Sequence, residues 1–241
     1  YLLIDDTLQP KFGEKFESRY KFFDHAKHNG SLYMNGHQIV SIAMTIPIYK
    51  DNEINYLTIP LGYKVYDKNF TKLELAKILI RTVMSELNEF QVIASCDSWY
   101  TKKNFLNILS EYDNLQIIGG LRSDTVLYDL KPKPTGKRGR PRKKGDRLNY
   151  RNFDFQKENN FFVATRKCMT NLCDNPVFIT VTTTDINKFT SVRMYLSTVE
   201  INDINTKYNR TLKQESSNLY EIYNVRWNIE VMFYQQKNFW S

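Results

Sequence analysis

The 241-residue chain is 41% hydrophobic and 14% aromatic, which excludes a disordered protein and is enough for one large domain with a sizeable core. No apolar run approaches the roughly 18 residues of a membrane-spanning helix, so we expect no membrane segment. The net charge of +8 is local, because residues 131–151 contain ten Lys or Arg and one Asp, which leaves −1 for the rest of the chain. A basic segment of this kind indicates a polyanionic partner, most often nucleic acid.

The chain opens with strands. Residues 1–7 predict a short apolar strand, and residues 8–36 read as an irregular stretch. Two β-branched runs at 37–50 and 54–63 are separated by the short sequence DNE, and together they predict a β-hairpin.

Helices and strands then alternate. Residues 71–90 have apolar side chains at helical spacing, and Thr71 with Glu74 forms the pattern of a capping box. The segments that follow are predicted as strand, helix and strand: residues 91–96, 101–112 and 115–121. Because strands that alternate with helices usually pair in parallel, the order predicts an α/β fold.

Residues 122–215 interrupt the alternation, because five β-rich segments follow one another without a helix. We interpret them as an insertion inside one fold, which divides the chain into a first core part (1–121), the insertion and a C-terminal helix (216–241). Within the insertion, residues 131–151 are too rich in Pro, Gly and charge to pack, and they predict a loop or arm. The phenylalanines at strand positions of the insertion are interpreted as sheet core.

The sequence YNVRWNIEVMFYQQK, residues 223–237, reads as part of one amphipathic helix. Its residues Tyr223, Arg226, Glu230 and Lys237 share one face at 3.6 residues per turn. On an ordinary helix this spacing indicates solvated ion pairs, since Arg226 and Glu230 are four positions apart. We expect the aromatic residues elsewhere on the helix to hold it against the sheet.

Three acidic residues lie at the ends of predicted strands or on this helix: Asp6, Asp97 and Glu230. Carboxylates at corresponding ends of neighbouring parallel strands, with a third from a helix, can hold the pair of divalent ions used in phosphoryl transfer. The alternative for Asp97 is a plain N-cap. Asp5 competes with Asp6, because neighbouring side chains of a strand point to opposite faces, and spacing alone does not choose between them.

The cysteines offer a different metal site. Cys96, Cys168 and Cys173 are too few and too odd in number for a disulfide framework, and they fit a reducing cytosol. Cys168 and Cys173 have C-x4-C spacing, but no second Cys or His pair follows. Free, packed cysteines are therefore favoured over a structural zinc site.

The stretches LLIDDT, VIASCDSWY and YNVRWNIEVMFYQQK together resemble the DDE-type transposases of bacterial insertion sequences. The last stretch fits the Y-x2-R-x3-E-x6-K signature of one large group of them. The resemblance implies an RNase H-like core, a mixed sheet with flanking helices, interrupted by the β-rich insertion before the C-terminal catalytic helix. It also implies a metal-dependent enzyme that cleaves transposon-end DNA and transfers the 3′-hydroxyl into target DNA.

The resemblance also implies roles for individual residues. Asp6, which directly precedes Thr7, is expected to be the first catalytic carboxylate, with Asp97 the second and Glu230 the third, together binding two Mg²⁺ or Mn²⁺ ions. Four further residues are expected to contact DNA phosphates: Tyr223, Arg226, Lys237 and, from the sequence LRSD, Arg122.

The basic segment contains the Arg-Gly-Arg-Pro core of an AT-hook, an extended motif that lies in a narrow A·T minor groove. The alternative is a charged loop with non-specific phosphate affinity. Both interpretations give the same DNA-binding residues: Arg138, Arg140, Arg142, Lys143 and Lys144.

Two alternatives to an intact transposase are considered: a truncated or non-catalytic form of the enzyme, and a purely structural domain. The chain begins at the first strand and ends four residues after Lys237, so we expect a transposase truncated at both ends, or a non-catalytic DNA-binding remnant of one. A purely structural domain would leave the three acids and the charge concentration unexplained. The expected partners are double-stranded DNA, as element ends and target, and a second copy of the chain. The expected location is the bacterial cytoplasm, at the nucleoid.

Overall fold

A computed structural model of the chain describes residues 1–13, 15–24, 30–50, 53–133, 141–200 and 219–239. They form a mixed α/β fold that is rich in strands and has few helices. The chain divides into two compact units, Tyr1–Ala94 with Arg226–Ser241, and Ser95–Val225. Within the described ranges, no helix is long and apolar enough to cross a membrane.

The first unit is organised around the long strand β3 (Tyr33–Lys50). This strand pairs antiparallel with β1 (Leu2–Pro10), β2 (Tyr20–Phe23) and β4 (Glu53–Val65). The predicted hairpin is therefore confirmed as β3 and β4. The prediction of an irregular stretch from residue 8 to 36 is wrong in part, because β1 continues to Pro10 and β2 lies inside the stretch.

Two helices cover opposite faces of this sheet. Helix α1 (Lys72–Met84) lies over one face, where a Cβ on Gly62 would be 3.1 Å from the Leu79 side chain. The next residue of β4, Tyr63, is hydrogen-bonded through its hydroxyl to Gln236 of the last helix. Because successive residues of a strand face opposite sides, the last helix covers the other face.

The C-terminal helix predicted from residue 216 is interrupted. Helix α3 (Leu219–Asn224) ends before a turn at residues 225–226, and helix α4 (Trp227–Phe239) follows. Neither Gly nor Pro marks the break, so the sequence carries no local signal for it. Tyr223 therefore lies on a different helix from Glu230 and Lys237.

The aromatic side chains of α4 were expected to hold it against the sheet, but not all of them do. Its buried residues are Ile229, Met232 and Phe233. Three others, four and three positions apart along the helix, are at least half exposed: Trp227, Val231 and Tyr234. The prediction is wrong in part, because Phe233 is buried as expected but Trp227 and Tyr234 lie on the exposed side of the helix.

In the strand order of the first unit, β1 is followed by β5 (Val92–Cys96), whose last two residues belong to the second unit. The second unit contains a sheet with the order β6-β12-β11-β10-β7-β8, in which β9 also pairs with β10. Its strands are β6 (Leu115–Leu121), β7 (Leu127–Tyr128), β8 (Arg147–Leu148), β9 (Gln156–Glu158), β10 (Phe161–Thr170), β11 (Val177–Thr183) and β12 (Arg193–Ser197).

Strands from the predicted insertion join this sheet directly, because β12 pairs antiparallel with β6. The limits of the insertion, 122 and 215, stay a prediction. The helix predicted at 101–112 is shorter than expected, since α2 (Lys103–Leu106) passes into a 3-10 turn at Asn107–Ser110.

The capping box at the start of α1 is confirmed and gives a stability prediction. The Thr71 hydroxyl accepts from the Glu74 N–H, and the Glu74 carboxylate accepts from the Thr71 N–H. Thr71→Ala leaves the N–H of Glu74 without this partner, so we expect it to lower the free energy of unfolding by about 1 kcal/mol in urea denaturation.

The matched control is Thr82→Ala on the same helix. The exposed Thr82 hydroxyl donates to the carbonyl of Ile78, within the helix. We expect that change to stay within about 0.5 kcal/mol of the unmodified protein. Equal losses in the two variants would contradict the capping role.

Candidate active site

The guanidinium of Arg226 joins helix α4 to strand β1. Its Nη1 donates to Asp5 Oδ2 at 2.5 Å, and its Nη2 donates to Glu230 Oε1 at 2.9 Å. Arg226 is 7% exposed and Asp5 is 9% exposed, whereas the Glu230 side chain is 40% exposed. A buried cation therefore holds two carboxylates that belong to different elements.

The neighbouring carboxylate, Asp6, has a different cation. The Nζ of Lys72 lies 3.0 Å from each of its two oxygens, and the Gln38 side-chain amide also donates to it. Lys72 opens helix α1, which covers the face of the sheet opposite to α4. Asp6 therefore lies on the α1 face of β1 and Asp5 on the α4 face, as the alternation of the strand requires.

This placement bears on an expectation about the site, because the residue of β1 that shares a cation with Glu230 is Asp5. The assignment of Asp6 and Glu230 to one metal site stays a prediction. The contacts of Lys72 and Gln38 with Asp6 were not found from the sequence. No local signal could have given them, because their partners are 66 and 32 positions away along the chain.

Lys237 anchors the other end of α4 to the same strand. Its Nζ donates to Thr7 Oγ1 at 2.7 Å and to the carbonyl of Leu8 at 3.0 Å. Burial lowers the pKa of Lys237, and the carboxylate of Asp24 acts in the opposite direction. Of the four signature residues, Arg226 and Lys237 thus contact β1 directly, and Glu230 is linked to it through Arg226.

In the second unit, Asp97 follows strand β5 and organises a turn. Its Oδ1 accepts from the backbone N–H of Trp99 at 2.9 Å and of Tyr100 at 3.2 Å. This is the geometry of a capped turn, although helix α2 begins only at Lys103. Asp97 is therefore not the N-cap of α2, a position that Lys102 occupies, and one of its oxygens instead caps the turn before that helix.

A glycine of β6 brings Tyr223 close to that turn. A Cβ on Gly120 would lie 3.0 Å from the Tyr223 hydroxyl and 3.1 Å from the N–H of Ser98, the residue after Asp97. The ring of Tyr223 packs on Tyr195 of β12, with centroids 4.9 Å apart. Any side chain at Gly120 would displace this hydroxyl or the turn.

The remaining predicted DNA-binding residues that the structure describes are exposed or half-buried. Arg122 makes a two-pronged ion pair with Asp124, at 3.0 and 2.7 Å, which raises the pKa of Arg122. Arg142 pairs with Asp146 at 2.8 Å, and Lys144 lies over the Tyr128 ring. Lys143 is exposed, whereas Arg138 and Arg140 lie outside the described residues.

The donor chemistry of the predicted metal site is suitable, since carboxylate oxygens are the ligands that Mg²⁺ and Mn²⁺ prefer. The described residues contain no group of three or more His, Cys, Asp or Glu arranged to hold a metal ion. In the first unit, the charges of Asp5 and Asp6 are balanced by Arg226 and Lys72. All three cysteines are free thiols.

Comparison with known proteins adds one finding. Residues 62–164 match the DDE superfamily endonuclease family. The match supports a DDE-type, transposase-like nuclease, and nucleases of this superfamily generally use divalent metal ions. It runs from β4 to β10 and includes Asp97, but neither Asp6 nor Glu230. No curated protein sequence matches the chain.

The buried thiol of Cys168 gives a pH prediction. Burial raises its pKa from 9.0 to about 11, with Arg166 opposing and Asp129 adding to the shift. As the pH rises, the thiol ionises in the unfolded chain before it does so in the folded one. Its contribution to the free energy of unfolding is therefore fully present below pH 9 and is lost as the pH rises from about 9 to about 11. We expect Cys168→Ala to reduce this alkaline loss of melting temperature, and Cys173→Ala, at a less buried thiol, to leave it unchanged.

Proposed function

We propose that this chain is the catalytic domain of a DNA transposase. It would cleave the DNA at the ends of its element and join the freed 3′-hydroxyl to target DNA. The observation that carries the proposal is the contact of α4 with β1, where Arg226 and Lys237 bond to the strand that bears Asp5 and Asp6, and Glu230 is joined to it through Arg226. The family match to residues 62–164 supports the same reaction class.

The proposed metal ligands are Asp6, Asp97 and Glu230, with Mg²⁺ or Mn²⁺ as the ions. When bound, two such ions would activate the attacking water or 3′-hydroxyl and stabilise the leaving oxygen. The residues of the chain itself supply orientation and charge. Glu230 is suited to its role because its carboxylate is fixed by Arg226 yet remains 40% exposed.

DNA would be held by cations around this centre. Lys237 would exchange its contacts with Thr7 and Leu8 for a DNA phosphate. Arg122 would likewise exchange its ion pair with Asp124 for a phosphate. Tyr223 would add a hydroxyl beside the Asp97 turn. The basic segment 131–151 would supply most of the non-specific affinity for double-stranded DNA.

The proposal extends to the assembly and the cellular location of the protein. The active complex would be a homodimer on DNA, and the protein would work in the bacterial cytoplasm at the nucleoid. The alternative is a non-catalytic DNA-binding remnant. It is favoured by the ion pairs that occupy Asp5 and Asp6, because these carboxylates already have cationic partners.

The first test measures nicking of duplexes that carry the element's ends, with Mg²⁺ or Mn²⁺. Asp97→Asn and Glu230→Gln each remove one carboxylate charge, so we expect cleavage to fall at least about a hundredfold. Duplex affinity without divalent metal should stay the same. Undiminished cleavage by either variant contradicts the assignment, and absence of metal-dependent nicking in the unmodified protein favours the remnant.

A matched pair of variants, Asp5→Asn and Asp6→Asn, tests which aspartate of β1 binds the metal. The variant that lacks the metal ligand should not cleave DNA at any Mn²⁺ concentration, because an amide replaces the charged oxygen. We expect this result for Asp6→Asn. Complete loss in Asp5→Asn with activity retained in Asp6→Asn would transfer the role to Asp5.

The basic segment is tested by the triple variant Arg142→Gln, Lys143→Gln, Lys144→Gln. Removing each cation that binds a phosphate should reduce the slope of log affinity against log salt by about 0.9. The exposed Lys188, outside the segment, provides the control variant Lys188→Gln. Preference for A·T-rich over G·C-rich duplexes would support the AT-hook interpretation, and equal affinity would support the charged loop.

A further inference from the structure

The further inference concerns Arg226, which the transposase resemblance assigns to DNA phosphate. The side chain is 8% exposed, and its two terminal nitrogens donate to carboxylates at 2.5 and 2.9 Å. The indole ring of Trp227 lies 5.2 Å from the guanidinium carbon. A phosphate would therefore have to reach a guanidinium that is almost closed to solvent and already engaged by two carboxylates.

Asp5 is equally committed to this arrangement. Its Oδ2 accepts from Arg226, and its Oδ1 accepts from the N–H of Asp6 at 2.8 Å. Its partner across the sheet is Ser41, which is fully buried. Removing Arg226 would therefore leave a carboxylate charge in the interior without its cation, which is strongly destabilising.

The position of Arg226 explains why one side chain can fix Glu230. Arg226 directly precedes α4, and its carbonyl accepts from the N–H of Ile229 at 3.0 Å. Glu230 lies four residues after it, in the first turn of the helix. A strand, the start of the helix and the proposed catalytic carboxylate are thus joined through one planar group.

We propose that Asp5 and Arg226 are positioning residues: they form a buried bridge that orients the Glu230 carboxylate relative to β1. Arg226 does not bind DNA phosphate. The inference rests on the proposed function for the role of Glu230, whereas the bridge itself is independent of any reaction. Of the cations around α4, the phosphate contact is left to Lys237.

The bridge and the phosphate clamp predict different binding data for Arg226→Lys and Arg226→Gln. Affinity for a mixed-sequence duplex is measured without divalent metal over a range of salt concentrations. A positioning role leaves affinity and salt slope unchanged, within about twofold. A phosphate contact would lower the affinity and reduce the slope by about 0.9, which would overturn the inference. Lys237→Gln is the positive control, for which the reduced slope is expected.

A thermal-unfolding cycle tests the bridge without requiring cleavage. Asp5→Asn, Arg226→Gln and the double variant are compared. Because both single changes break the same pair, the double variant should lose no more melting temperature than the more damaging single variant. The exposed pair Arg122–Asp124 provides the matched control, where Arg122→Gln should change the melting temperature little. Fully additive losses at Asp5 and Arg226 would overturn the bridge.

Cleavage then distinguishes positioning from catalysis. Arg226→Lys keeps a cation beside Asp5 but cannot hold both carboxylates in a planar fork. We expect it to need several-fold more Mn²⁺ for half-maximal plasmid nicking while regaining much of its maximal rate at saturation. Glu230→Gln should regain none. An unchanged Mn²⁺ requirement in Arg226→Lys would overturn positioning. If the unmodified protein does not nick, the proposed function fails while the cycle still decides the bridge.

Discussion

The contact between β1 and α4 depends on the pairing of charges that are removed from water. The guanidinium of Arg226 and the carboxylate of Asp5 are mostly removed from water, and such a pair is stable only when each charge has its partner in good geometry. This requirement fixes which turn of the helix lies beside Asp5, and it fixes Glu230 with it. Lys237 adds a second contact further along the strand, so the helix is held at both ends by cations and not by its exposed aromatic residues.

The sequence predicted those elements of the fold whose signals are local. The capping box of α1 and the β3–β4 hairpin were found because the residues concerned are adjacent or nearly adjacent in the chain. Strand β2 was missed because it has four residues, none of them buried, in a mixed stretch, and its identity comes from pairing with β3. The break before Arg226 was missed for the related reason that no Gly or Pro marks it.

The candidate site shows the same limit. Helical periodicity placed Tyr223 on one face with Arg226, Glu230 and Lys237. It was wrong for Tyr223, because the helix is interrupted at residues 225–226, and it holds for the other three, which follow the break or lie at it. Spacing could not choose between Asp5 and Asp6, since the choice depends on which face of the sheet α4 covers. Nor could it show that Arg226 is buried, because its partner Asp5 is 221 positions away. Signature residues that look equivalent on a helical wheel thus differ in chemistry once the strand is present.

The indole of Trp227 has a consequence of another kind. It is half exposed, and its ring lies 5.2 Å from the buried guanidinium of Arg226. Indole emission depends on nearby charge and on contact with water, so this side chain is a built-in optical reporter beside the bridge. Trp227 is one of three tryptophans in the chain, and in a variant that lacks the other two its emission would report whether Arg226 remains between its two carboxylates.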